Sequence, residues 1–115
     1  MLNEIDYDQS GTDQAEFIEL TGLPGVALTG LELHFINGLN GAVYRSQSLA
    51  GFVPEDGYFV LGSTTVQNID LVLGSGGSNL IQNGAPDGVG LWDSETESYC
   101  DFINYEGAIA GFEGW

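Results

Sequence analysis

Short runs of apolar and half-apolar residues recur along this chain roughly every ten residues, a spacing that admits strands and leaves no room for long helices. The runs are residues 2–7, 16–21, 31–36, 42–46, 58–61, 69–73, 88–92 and 99–105. Between them stand Pro24-Gly25, Asn37-Gly38, Asn40-Gly41, Glu55-Asp56-Gly57, Gly74 to Ser78, Asn83-Gly84 and Asp87-Gly88, each able to end a strand and reverse the chain. Leu31, Leu33 and Phe35 alternate with Glu32 and His34, and Cys100, Phe102 and Asn104 alternate with Asp101 and Ile103. That two-residue period is the mark of strands with one face on a core. Glycine fills 18 of the 115 positions without a three-residue period, as expected where tight turns repeatedly need positive φ. A helical turn fits only around Val66 to Ile69. The expectation is an all-β chain of about eight short strands, folded as one domain over residues 1–115.

Apolar residues make up 43 % of the chain, enough for one core and against global disorder, even though the formal net charge is −16. Arg45 is the one cation against 17 acidic residues. Phosphate backbones are held by many cations that displace counterions, so direct binding of nucleic acid is not expected. Self-repulsion of this size is relieved by salt or by divalent ions, which points to a saline or calcium-containing extracellular setting. Cys100 stands alone and forms no internal disulfide, so cysteine usage decides nothing about compartment. No signal peptide and no apolar run of about 20 residues is present, so no transmembrane segment is expected.

The order of the segments resembles the lamin tail domain family. Asn3-Glu4-Ile5 with Glu16-Phe17-Ile18-Glu19-Leu20 is similar to its opening hairpin, and Leu28-Thr29-Gly30-Leu31-Glu32-Leu33 to its next strand, where Trp often replaces Leu31. Pro54 to Leu61 is similar to the family's glycine-plus-aromatic entry into a central strand. Asp87-Gly88-Val89-Gly90-Leu91-Trp92-Asp93 with Asp101-Phe102-Ile103-Asn104-Tyr105-Glu106-Gly107 resembles its late hairpin. Thr21-Gly22 departs from the family's aromatic and Asn at that point. The resemblance implies an immunoglobulin-like β-sandwich that is a segment of a larger protein, with one further strand beyond the residues given. It also implies a non-catalytic accessory module of a bacterial extracellular or cell-surface protein. Its expected partners are neighbouring domains of the parent, often a nuclease or other hydrolase, and another protein or a cell-surface component.

The sharpest local cluster is Asp6-x-Asp8-x-Ser10-Gly11 followed by Asp13 and Glu16. It approximates the first half of an EF-hand loop, but Phe17 occupies the closing position and strands, not helices, flank it, so a true EF-hand is rejected. A looser β-turn calcium site on Asp6, Asp8 and Asp13 is the metal expectation, set against a solvated hairpin turn. Asp93, Glu95 and Glu97 form a second acidic group, read as a solvated hairpin tip. Catalysis finds little support: His34 is the one histidine and sits in a strand pattern, and Cys100 is expected as a small buried hydrophobe. Gly74 to Ser78 lacks the Lys-Ser/Thr of a phosphate loop. The alternatives to the accessory module are a calcium-dependent carbohydrate- or adhesion-type binding domain and, more remotely, a small acidic hydrolase; Tyr44, Trp92, Tyr99 and Trp115 are read first as mostly core or sheet-face residues, and otherwise as a carbohydrate- or protein-binding surface.

Overall fold

The computed structural model describes residues 1–6, 17–38, 40–62, 69–73 and 87–105, and the side chains of all of these except Asp6 and Tyr105. The described residues are all-β, as expected, with strands β1 (Leu2–Asp6), β2 (Phe17–Thr21), β3 (Leu31–Asn37), β4 (Ala42–Ser48), β5 (Tyr58–Gly62), β6 (Leu71–Val72), β7 (Asp87–Asp93) and β8 (Ser98–Tyr105). They form two four-stranded sheets, in the orders β1-β2-β5-β6 and β4-β3-β7-β8. Two compact units follow this division, one of Leu2–Val26 with Phe52–Asn83, the other of Ala27–Gly51 with Gly84–Trp115 and Met1. The expected helical turn falls mostly outside the described residues, as do Gly74 to Ser78, Asn83-Gly84 and Trp115.

In the first sheet β1, β2 and β5 are antiparallel neighbours, and β6 joins β5 in parallel. Register places Ile18 opposite Leu61 and Leu20 opposite Phe59, and Leu2 pairs with Leu20. All five side chains are buried, with Ile18 and Leu61 fully so, because alternate residues of a strand share one face. Phe17, one residue before Ile18, lies on the other face and is half-buried.

The second sheet is antiparallel throughout. Leu33 faces Leu91 and Phe35 faces Val89 across β3 and β7, and all four are buried. The opposite face is covered as well: Ile36 and Phe102 are buried there with Tyr99 packed against them. β7 is accordingly buried at five consecutive positions, Asp87 to Leu91. A strand covered on both faces loses the alternation that exposes one side to water. Glycine at position 90 makes this possible, since a Cβ there would lie 2.6 and 2.7 Å from Tyr99 ring carbons and 2.8 Å from Phe102.

Two irregularities correct the sequence expectation. Register shifts between Leu91 and Trp92, pairing them with Asp101 and Tyr99, so Cys100 is the bulged residue of β8. The bulge reverses the parity of the strand, puts Tyr99 and Phe102 on one face, and leaves Cys100 exposed rather than buried. Asp87-Gly88, read from sequence as a turn, instead opens β7.

Asp87 is 2 % exposed. Its Oδ1 accepts the Gly38 amide at 3.1 Å, bracing the turn after β3, while its Oδ2 has no partner among the described residues. Burial pushes this carboxyl above the usual carboxylate range, and the Gly38 hydrogen bond only partly opposes it. The folded chain therefore holds this proton more tightly than the unfolded chain does. The resulting stability is fully present below the ordinary carboxylate value of about 4 and is lost as pH rises through the folded value. Urea midpoints of the wild type and Asp87→Asn are expected to diverge in the wild type's favour as the pH falls from 7 toward 4. A difference that stays constant across that range would show that Asp87 titrates alike in both states.

Candidate functional site

The residues expected to hold calcium are not brought to view: Asp8 and Asp13 lie outside the described residues, and of Asp6 only the backbone, paired with Phe17, is described. Among the described residues no group of three His, Cys, Asp or Glu side chains stands close enough to hold a metal ion.

The richest chemical constellation is on the face of β3, β7 and β8 opposite to Leu33 and Phe35, where alternation points Glu32 and His34 to the same side. His34 Nε2 lies 3.2 Å from Glu32 Oε1, and Nδ1 lies 2.9 Å from the Tyr99 hydroxyl. A carboxylate can only accept, so in the neutral ring Nε2 carries the hydrogen and Nδ1 accepts from the Tyr99 O–H. Burial keeps the phenol above its ordinary range, which preserves it as a donor. Trp92 stacks on His34 with centroids 5.2 Å apart and planes 19° apart, and Tyr99 meets both rings edge-on. The imidazole is left 14 % exposed.

Carboxylate, imidazole and hydroxyl in series imitate the wiring of a hydrolase triad. The hydroxyl, however, is a phenol lodged above Gly90 and against Phe102, and both imidazole nitrogens are engaged. What the arrangement does is fasten β3 to β8 through one polar chain, inside an aromatic cluster to which β7 adds the ring of Trp92. His34 thus occupies the half-buried strand position its sequence context implies, while the link to Tyr99, 65 residues away, had no sequence signal. The stacked and edge-on rings of Trp92 and Tyr99 are not a coplanar row of the kind that binds sugar rings.

Cys100 donates its thiol to the Leu91 carbonyl at 3.3 Å. Desolvation first, with the Asp93 and Asp101 charges adding to it, pushes the thiol up, away from the thiolate a nucleophile needs. The Asp93, Glu95 and Glu97 group is a hairpin tip: Asp93 Oδ1 caps the Glu95 amide at 2.9 Å, Ser94 is tied by its amide and hydroxyl to the Gly30 carbonyl, and Glu97 turns with φ 54°.

The first sheet carries a depression of about 530 Å³ with Tyr58, Val60 and Ile69 in its lining and Glu19, Asp56 and Asp70 at its walls. One oxygen of each acid is already engaged in holding structure. Asp56 Oδ1 accepts the Tyr58 amide at 3.0 Å, Asp70 Oδ2 accepts the Val60 amide at 2.8 Å, and Glu19 Oε1 accepts the Asn3 amide group at 2.6 Å. The depression is negative, partly apolar and open to water. Its chemistry favours a cationic visitor over an anionic one.

Comparison with protein-family models, with curated proteins and with solved structures gives no match.

Proposed function

We propose that this chain is a non-catalytic accessory module of a larger bacterial extracellular or cell-surface protein, of the lamin tail kind, which works by contact while chemistry is done by a neighbouring domain. The observation that carries this reading is the enclosure of His34. The one imidazole in the chain, the side chain most often used as a general base near neutral pH, is committed to Glu32, Tyr99 and Trp92 as a brace across the second sheet. The order of the segments supports the family, and the surplus of 16 negative charges supports a saline exterior over a nucleic-acid partner. Among the described residues no helix is long and apolar enough to cross a membrane.

The test is an assay of the isolated chain on nuclease and phosphatase substrates, together with duplex DNA titration at low salt. No turnover and no measurable DNA affinity are expected. Hydrolysis abolished by a single carboxylate substitution that leaves the melting curve unchanged would overturn the reading, and so would tight, salt-sensitive DNA binding.

A further inference from the structure

The segments 22–26 and 52–57 are stitched into one double loop. Gly22 N donates to the Gly57 carbonyl at 3.0 Å, Gly25 N to that of Val53 at 2.8 Å, and Val53 N to that of Val26 at 2.9 Å. Thr21 Oγ1 adds a bond to the Gly57 carbonyl at 3.2 Å. Each half also closes on itself, Val26 N on the Leu23 carbonyl and Gly57 N on that of Pro54. Pro24 followed by Gly25 at φ 85° makes the first half a type II turn, and at Gly57, whose φ is 82°, a Cβ would sit tightly, 3.3 Å from the Gly22 carbonyl.

What this well-fastened backbone holds out to water is apolar. Leu23 is 76 % exposed, Phe52 65 % and Val26 48 %, whereas Val53, beside Phe52 in the chain, is 6 % exposed. An apolar side chain left in water forgoes the burial that ordinarily stabilises a fold, and several large apolar groups exposed on one ordered loop mark it as a contact site. Because the loop is already ordered by its own hydrogen bonds, little freedom remains to be lost when a partner covers it.

The charge around the loop selects the partner. Glu55 and Asp56 lie exposed in the same loop, and Asp56 also lines the acidic depression. A second copy of the chain would bring −16 against −16, and an anionic bilayer would be repelled in the same way. We propose that the double loop is a docking surface for a cationic protein segment, whose apolar side chains pack on Leu23, Val26 and Phe52 while its Lys or Arg groups face Glu55 and Asp56. The inference rests on the reading of the chain as a contact module and names the kind of partner it contacts.

The experiment titrates the full ¹⁵N-labelled chain with a short synthetic peptide alternating Lys and Leu, beside a Lys/Ser peptide and a Glu/Leu peptide, in moderate salt. Saturable amide shifts concentrated at residues 22–26 and 52–58 are expected with Lys/Leu alone. Leu23→Ser with Phe52→Ser should weaken that binding about tenfold or more at an unchanged melting temperature. If the double variant melts early, Glu55→Gln, an exposed change, should still weaken binding severalfold. Equal binding by Lys/Ser would reduce the effect to diffuse charge attraction and overturn the proposal, as would equal binding by Glu/Leu or shifts centred elsewhere. Concentration-dependent shifts of these amides without peptide would assign the surface to a second copy, and their broadening on phosphatidylserine vesicles would assign it to a membrane; either overturns it. Failure here leaves the accessory-module reading standing, because contact can be made by another surface, whereas hydrolysis by the isolated chain removes that reading without touching the peptide result.

Discussion

Phe35→Ala is expected to lower the unfolding free energy by about 3 to 5 kcal/mol, measured as a shift of the urea or thermal midpoint. Phe35 is fully buried at the middle of β3, opposite Arg45 on one side and Val89 on the other. Truncation removes the ring's transfer free energy and leaves a space that the β-ladders on both sides prevent from closing. Native domains are stable by about 5 to 15 kcal/mol in all, so the variant stands near the edge of folding. Tyr44, whose ring lies 6.1 Å from that of Phe35 but is 37 % exposed, supplies the control. Tyr44→Ala should cost clearly less, because much of its surface is in water in either state. Equal losses at the two positions would mean that this face of the sheet does not shield Phe35 as described.

Strands are legible in this sequence because their signals are local. The alternation of Leu33 and Phe35 with Glu32 and His34 fixes which face of β3 is buried, and the Pro24-Gly25, Asn37-Gly38 and Asn40-Gly41 turns fall where the residue types demand. Ile36 departs from the alternation because the His34 face of the second sheet is itself covered, by Phe102 and Tyr99. No window along β3 carries that information, since the covering residues come from β8. Cys100 escapes its sequence pattern for a related reason: a bulge shifts side-chain parity by one, and nothing in Tyr99-Cys100-Asp101 announces it. Leu31 belongs to the core by its alternation with Glu32, and Ile103 by its apolar side chain though against the alternation of β8; both are only half-buried, Leu31 at the start of β3 and Ile103 in β8 at the edge of its sheet.

The candidate site is legible only in its ingredients. His34 stands out in the sequence as the one histidine, and its half-buried place follows from its neighbours, but its function as a brace depends on Tyr99 and Trp92 arriving from a distant hairpin. Asp87 is hidden in the opposite sense. Asp-Gly is so strong a turn signal that burial at a strand start is not expected from it, and only the Gly38 amide accounts for the acid there. The exposed Leu23 and Phe52 carry no sequence mark at all, because an apolar residue beside a turn reads equally well as core or as surface.

The same cross-strand dependence makes Gly90 the position where the smallest chemical change should have a large effect. Gly90→Ala adds one methyl group, and in an ordinary strand it would stabilise by about 0.5 to 1 kcal/mol through the unfolded chain's lost freedom. Here the new Cβ meets ring carbons of Tyr99 at 2.6 and 2.7 Å and of Phe102 at 2.8 Å, distances that no rotation of a flexible tail can relieve. The rings must lift from the sheet, and overpacking of this kind costs about 1 to 3 kcal/mol, enough to outweigh the gain. Lifting Tyr99 also draws its hydroxyl from His34 and disturbs the edge-on contact with Trp92, so a shift in tryptophan fluorescence should accompany the loss of stability. Tyr99→Val in the Gly90→Ala background removes the obstructing ring, and the pair should be coupled, the alanine costing less beside the smaller valine than beside the tyrosine. A wild-type melting curve for Gly90→Ala, or additive losses in the cycle, would show that Tyr99 does not rest on that glycine.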